Sequence, residues 1–435
     1  MGIFGKILGK KGGRRVVVIG LDGTPHTLLT DLIGRGLLPN LAELSRDGTL
    51  LQMDTSIPEI SSVGWTTFST GVNPGAHGIY GFMELAPNSY KMIFPNSNYV
   101  KSPTLWAELT AAGKKSIVIN VPSTYPAQEL NGFLVAGFVA ITLEKATYPR
   151  SMVPKLQQMG YRIDVDTMKS REDHDFLIRD LTETHAARRR LILEEMGEPW
   201  DFFMGVVTGT DRIQHYLWDA FENPSHKHHQ AFLDYYKSVD SLVGDVRAKL
   251  PKDATLMLLS DHGFTGIKQE LYLNRWLTEQ GYLKFMKEKP QGFEDMSPES
   301  RAFALDPSRI YIHAKGRYPN GSVEPGDVLR LVDEIAGKAL EIKGPDGETV
   351  IRKVFKRDQI YSGPQVGLAP DLVLLSNWGF DLKGSLGRPA VFGRTNLSGM
   401  HTQDDAFFLI DHKFEFQSKI NIADLKGVIQ SEMNG

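Results

Sequence analysis

The chain has 435 residues, more than one hydrophobic core usually organises, so one large α/β domain with an inserted region, or two domains, is expected. Its composition is that of a soluble globular protein, 41% hydrophobic and 23% charged, and a net charge of -3 excludes the basic footprint that sequence-specific nucleic-acid binding requires. With no cysteine there are no disulfides and no thiolate metal sites, so any metal must be held by His, Asp, Glu or a hydroxyl.

Residues 1–13 read as a basic tail with scattered apolar residues and no continuous apolar run of the kind a signal peptide needs. Such a segment is compatible with weak contact to an anionic membrane surface. No stretch approaches the roughly 18 apolar residues of a membrane span, and the expected address is cytoplasmic.

Arg15 to Leu21 reads as a buried strand ending in Asp22-Gly23. A helix follows Pro25, with Leu28, Leu29, Leu32 and Ile33 at helical spacing, so Asp22 is either its N-cap or a metal ligand at a strand tip. A short helix from Pro39 to a Gly48 stop and a strand from Thr49 to Thr55 come next. After Pro58 the chain leaves the strand, and Ser61 occupies the opening turn of a helix running to about Thr70. A hydroxyl there faces the positive end of the helix dipole, where a phosphorylated nucleophile is stabilised; the alternative is a plain N-cap serine.

Residues 104–113 read as a helix with a Gly stop and 115–120 as another strand, after which Asn120 and Tyr125 can face a strand-tip site or simply shape a turn. The 148–197 segment reads as a peripheral, charge-rich helical region, with Ser170 and Asp173 as a capping box. A buried strand from Phe202 ends near Thr208, and a helix begins around Asp211. There Asp211 and His215 are four apart and share one face, which is metal-ligand spacing near a strand tip. His226, His228 and His229 precede a long polar helix and read as a solvated face.

Thr255 to Leu259 is a further apolar strand, delivering Ser260-Asp261-His262-Gly263 beyond its carboxyl end, where open α/β sheets bind ligands. Gly263 permits the sharp turn that lets adjacent Asp261 and His262 serve one metal. A helix is expected over 270–281. The 284–394 region, with strands at 309–313 and 371–375 and a helix over 325–340, reads as an inserted cap region. Gly399-Met400-His401 precedes a last strand ending at Ile410, with Asp404 and Asp405 in surface turns or orienting His401, and a closing helix over 423–430.

Ser61, followed by Trp65-Thr66-Thr67-Phe68 and Thr70-Gly71-Val72-Asn73-Pro74-Gly75-Ala76-His77-Gly78-Ile79, resembles the nucleophile segment of the type I phosphodiesterase/nucleotide pyrophosphatase family of the alkaline phosphatase superfamily. The resemblance implies an α/β fold, an alkaline-phosphatase-like three-layer sandwich with a largely parallel central sheet. Its catalytic core would cover 14–265 and 395–435. It places the nucleophile on Ser61, makes His77 structural, and puts the last metal histidine on His401. It implies one metal on Asp211, His215 and His401 and a second on Asp22, Asp261, His262 and the Ser61 oxygen. His and Asp ligands suit two divalent ions, zinc first, with manganese or iron also admitted.

One departure lies three residues after the nucleophile, where related pyrophosphatases carry a phosphate-holding Asn and this chain has Gly64. The implied activity is hydrolysis of a small-molecule phosphodiester or nucleotide through a seryl-phosphate. Phosphomonoesterase, phosphonate hydrolase, phosphoglycerate mutase and membrane-surface head-group transferase are alternatives on the same metals. A type I sulfatase is excluded, because no Cys is present and Ser61 and Ser62 precede Val63, Gly64 and Trp65 rather than Pro and Arg.

Overall fold

The computed structural model describes residues 14–435; the expected basic tail and its membrane contact lie outside the described residues. The chain forms two compact units. The first takes in the described part of Met1–Val72, with Asn96–Thr265 and Ser398–Gly435, and the second is Asn73–Pro95 with Gly266–Leu397. The region expected as an insertion over 284–394 lies within the second unit, and the helices of 148–197 lie within the first.

In the first unit an eight-stranded sheet is built from β1 (Arg15–Leu21), β2 (Thr49–Met53), β3 (Ser116–Ile119), β4 (Gly132–Val135), β5 (Thr147–Tyr148), β6 (Phe202–Val207), β7 (Ala254–Leu259) and β8 (Ala406–Ile410). Their order is β2-β8-β7-β1-β6-β3-β4-β5. Five neighbours, β7, β1, β6, β3 and β4, run parallel, while β8, β2 and β5 pair antiparallel at the two sides. The apolar runs of β1, β6 and β7 are buried almost throughout, as parallel strands covered on both faces must be. Gly20 is fixed by packing: a Cβ there would lie 2.5 Å from Cη2 of the fully buried Trp65.

The second unit has its own core, including Leu271, Trp276, Phe303, Ile310, Ile335 and Leu374. A four-stranded antiparallel sheet and a three-stranded sheet frame it. Fully buried Arg309 ties the early segment into this unit, donating to the Glu84 carboxylate and, at 2.8 Å, to the Met83 carbonyl.

Several local expectations are corrected. Gln269–Tyr272 is a strand paired with Phe380–Lys383, and the helix expected from Glu270 begins at Leu273. Ser170 does not open a capping box. Asp166 caps Thr167–Glu172 and Asp173 caps His174–Glu195, each through its side chain, while Ser170 Oγ donates back to the Asp166 carbonyl at 2.7 Å. His228 is buried beside Asp175 rather than solvated, because the turn before the helix His229–Lys249 folds it inward. Among the described residues no helix is long and apolar enough to cross a membrane.

Candidate metal centre

Strand register brings distant acids to one level. Leu21 pairs with Val207 and Gly20 with Leu259, so Asp22, Thr208 and Asp261 emerge together at the carboxyl ends of β1, β6 and β7. Gly23, at a φ of 65°, turns the chain so that its N–H donates to Asp261 Oδ1 at 3.0 Å. Asp22 caps no helix. Its Oδ2 accepts from Trp65 Nε1 at 3.0 Å and its Oδ1 from Ser61 Oγ at 3.2 Å, while the helix His26–Gly34 begins after Pro25 without a side-chain cap.

Ser61 is the first residue of the wholly buried helix Ser61–Thr70, with Ile60 as the N-cap, so its hydroxyl is free of capping duty. Its Oγ lies 3.1 Å from His262 Nε2. One turn on, Gly64 lets the helix pass close to β7: a Cβ there would lie 3.1 Å from the Asp261 Cβ. A side chain at that position has little room beside Asp261.

Three imidazoles are oriented alike. Nδ1 of His215 faces the Gly399 carbonyl at 3.1 Å, Nδ1 of His401 the Glu59 carbonyl at 2.9 Å, and Nδ1 of His262 the Gly263 carbonyl at 3.0 Å. A carbonyl can only accept, so each Nδ1 carries the proton and each Nε2 lone pair turns toward the carboxylates. Nε2 of His215 and Nε2 of His401 are 3.0 Å apart, and Asp211 Oδ1 lies 3.3 and 3.2 Å from them. Donors about 2.0–2.1 Å from a tetrahedral zinc are about 3.3 Å from one another. The triad of Asp211, His215 and His401 thus has the spacing of ligands around one ion.

A second group of three, Asp22, Asp211 and His262, converges beside it, so Asp211 belongs to both. Asp261 Oδ2 lies 3.5 Å from His262 Nε2. Both Asp211 Oδ1 and Asp261 Oδ2 are buried without a hydrogen-bond partner. Buried acceptor atoms of this kind carry a large desolvation cost that a cation removes, and the residues therefore fit divalent metal ions.

The electrostatics agree. Burial, followed by the charges of Asp261 and Asp211, raises the Asp22 carboxyl well above its usual range, and burial pushes Asp261 up to about 7. Burial also lowers His262, and His401 to about 3, keeping both imidazoles neutral and ligand-ready. Asp211 is different. Burial raises it, but His215, His401 and Arg212 outweigh burial and hold it well below the usual carboxylate range.

The seven residues singled out in the sequence, Asp22, Ser61, Asp211, His215, Asp261, His262 and His401, are brought together. Others are not. Asn120 is fully buried, donating to the Val206 carbonyl at 3.3 Å and accepting from Tyr161 at 3.2 Å, which is a core role. Asp405 is neither a surface turn nor a partner of His401. It is buried and holds the start of the helix His26–Gly34 through the Thr27 N–H at 3.2 Å. The contacts of Trp65 with Asp22, of Arg212 with Asp211 and of Asp164 with Arg212 have no counterpart among the sequence expectations; only Trp65, inside the nucleophile motif, and Arg212, beside a candidate ligand, carry a local signal.

The family model for type I phosphodiesterase / nucleotide pyrophosphatase matches residues 16–404. The chain belongs to this family. It is therefore a hydrolase of a metal-dependent family, and its Asp and His groups are able to bind metal. Among solved structures, phosphonoacetate hydrolase from Sinorhizobium meliloti 1021 in complex with phosphonoformate is similar, with a TM-score of 0.65 and 15% identity over 100% of both chains. Murine ectonucleotide pyrophosphatase/phosphodiesterase 5 has a TM-score of 0.56 and 15% identity, covering 97% of this chain and 95% of that one. An inactive form of the murine protein in complex with AMP has a TM-score of 0.55. These likenesses show the fold, an alkaline-phosphatase-like α/β architecture with a mostly parallel central sheet.

Proposed function

We propose that the protein hydrolyses a phosphodiester or pyrophosphate bond of a small molecule, through a seryl-phosphate on Ser61, at a site for two divalent cations. The observation that carries this reading is the shared orientation of His215, His262 and His401, each turning Nε2 into the space where Asp22, Asp211, Asp261 and Ser61 converge. Asp211, His215 and His401 would hold one ion, and Asp22, Asp261, His262 and Ser61 the other. The donor set suits zinc, with manganese or iron as substitutes. When bound, such ions supply Lewis acidity toward phosphoryl oxygens and toward the attacking hydroxyl.

The remaining chemistry belongs to the chain. The Ser61 Oγ–H points to Asp22 Oδ1 at 3.2 Å, so the proton leaves on that side while an Oγ lone pair attacks phosphorus. The Oγ–P bond forms as the bond from phosphorus to the leaving oxygen breaks. Ser61 opens a ten-residue helix, whose positive end stabilises the negative charge gathered on the phosphoryl group. Water then attacks phosphorus, the P–Oγ bond breaks, and Ser61 regains a proton as the phosphomonoester departs. Phosphonates are the second substrate class we propose, a reading supported by the fold likeness to a phosphonoacetate hydrolase over the whole of both chains.

The test pairs metal content of the purified protein with turnover of bis-p-nitrophenyl phosphate, p-nitrophenyl phosphate and phosphonoacetate by wild type and Ser61→Ala. Two ions per chain, with diester turnover that disappears in Ser61→Ala and on chelation, is expected. Full activity in the alanine variant would remove Ser61 as nucleophile. Turnover of phosphonoacetate alone would move the enzyme to the second class.

A further inference from the structure

Asp211 is the one acid of the site with a guanidinium beside it. Its Oδ2 accepts from Arg212 Nη1 at 2.8 Å, while its Oδ1 takes no hydrogen bond and faces the His215 and His401 nitrogens. Arg212 makes no symmetric fork with this carboxylate. Its other edge is engaged by Asp164 Oδ2, through Nε at 3.1 Å and Nη2 at 2.6 Å, and its plane lies over the Phe138 ring, with Cζ 4.4 Å from the ring centre. The side chains of Arg212 and Asp164 are each only 13% exposed, so neither is an ordinary solvated surface charge.

An arginine next to a carboxylate favours a bidentate grip on both oxygens. Such a grip on Asp211 would cover Oδ1 and place a positive charge where a cation is to bind. Asp164 prevents it by holding the Nε/Nη2 edge, and Phe138 fixes the plane from its face. We propose that Arg212 and Asp164 are positioning residues: Asp164 restrains Arg212 so that it holds Oδ2 of Asp211 and leaves Oδ1 as the single oxygen offered to the metal. This rests on the metal reading of the site given above. The arrangement explains how an acid with an arginine at its side still presents a bare oxygen to two imidazoles.

Arg212 and Asp164 are thus antagonists as well as partners. Losing Asp164 frees Arg212 to close on both oxygens of Asp211, so it harms metal binding more while Arg212 is present than when it is absent. The probe is Co²⁺, titrated into metal-free full-length protein and followed by calorimetry and by the visible absorption of the bound ion. Melting of each metal-free variant reports its fold.

Arg212→Gln is expected to lower Co²⁺ affinity by roughly 10-fold to 100-fold, the usual effect of removing a residue that orients a ligand, and to change the Co²⁺ spectrum. Asp164→Asn is expected to lower it at least as far, and the double variant to bind more tightly than Asp164→Asn alone. Arg212→Lys, which keeps the charge with a single donor group, should recover part of the loss. Wild-type affinity and spectrum in both single variants would overturn the proposal, as would a double variant weaker than either single one. If Arg212→Gln does not fold, Asp164→Asn against wild type and against Asp164→Asn with Arg212→Lys carries the same decision, with equal affinities in all three overturning it. Wild type that takes up no Co²⁺, with a folded metal-free state, would instead sink the metal reading on which this rests.

Discussion

Each unit buries a cluster of acids, and the two clusters are neutralised in opposite ways. In the second unit Glu84 is met by fully buried Arg309 and by the Tyr311 hydroxyl at 3.2 Å, and Asp371 by Arg357 and by Arg317 at 3.0 Å. Glu84 and Asp371 each have a guanidinium partner supplied by the chain. In the first unit Asp22, Asp211 and Asp261 gather around neutral imidazoles, and Arg212 serves only Asp211. A buried carboxylate with an internal counter-ion is a structural fixture; buried carboxylates without one form a place for a cation from outside.

That contrast can be broken at several points. The largest effect belongs to Ser61→Ala, which should reduce turnover of a phosphodiester on the order of 10⁴-fold or more while the ion assigned to Asp211, His215 and His401 is retained, as measured by steady-state kinetics beside elemental analysis. Next is Arg309→Met in the second unit. It leaves Glu84 buried and unpaired, and denaturant unfolding should show a loss of about 3–5 kcal/mol, most of it recovered when Glu84→Gln is added. An equal loss in both variants would mean that packing rather than charge pairing is at stake.

The uncompensated acids of the first unit should respond to pH. Asp261 is raised in the folded state, to about 7 from an ordinary 3.8. A raised carboxyl favours the folded state while protonated, so metal-free protein should lose stability as pH rises from about 4 through about 7, on the order of 4 kcal/mol. Asp261→Asn should show a shallower decline, with buried Asp22 still contributing, and metal-loaded wild type should lack it. Identical slopes in thermal melts of the three would contradict the assignment.

The smallest effect lies at His412. Asp411, then Glu432, raise this imidazole to about 9, so it contributes stability that is complete below about pH 6.5 and disappears as pH rises through about 9. The side chain is 30% exposed, so His412→Gln should cost less than about 1 kcal/mol at pH 6 and nothing at pH 10, read as a difference in Tm.

The parts of this site legible in the sequence are those with a local pattern. Apolar runs that stop at Asp22 and at Asp261-His262-Gly263 mark strand tips, the i, i+4 spacing of Asp211 and His215 marks one helix face, and Ser61 follows Pro58 at a helix start. The parts that escaped are pairings between positions with no such pattern. Nothing near Asp164 announces that it will hold Arg212, nothing near Glu59 announces that its carbonyl will orient His401, and Asp405 meets Thr27 from the other end of the chain. The same cause accounts for the strand at Gln269–Tyr272. Leu273, Trp276 and Leu277 have helical spacing, but the residues just before them are claimed by Phe380–Lys383, a partner more than a hundred residues away.

The candidate ligands begin at Asp22, just past the first strand, and end at His401, on a strand paired with Gly263–Gly266. During translation the whole stretch from Asp22 to His401 must therefore leave the ribosome before the proposed set of ligands can be complete. On the proposed assignment metal loading follows translation, and a chain interrupted before residue 401 would retain the crowded acids while lacking one of the two candidate histidines of the Asp211 group. Incomplete products of this protein should be recognisable in the cell by two properties together, absence of tightly bound metal and early loss to proteolysis.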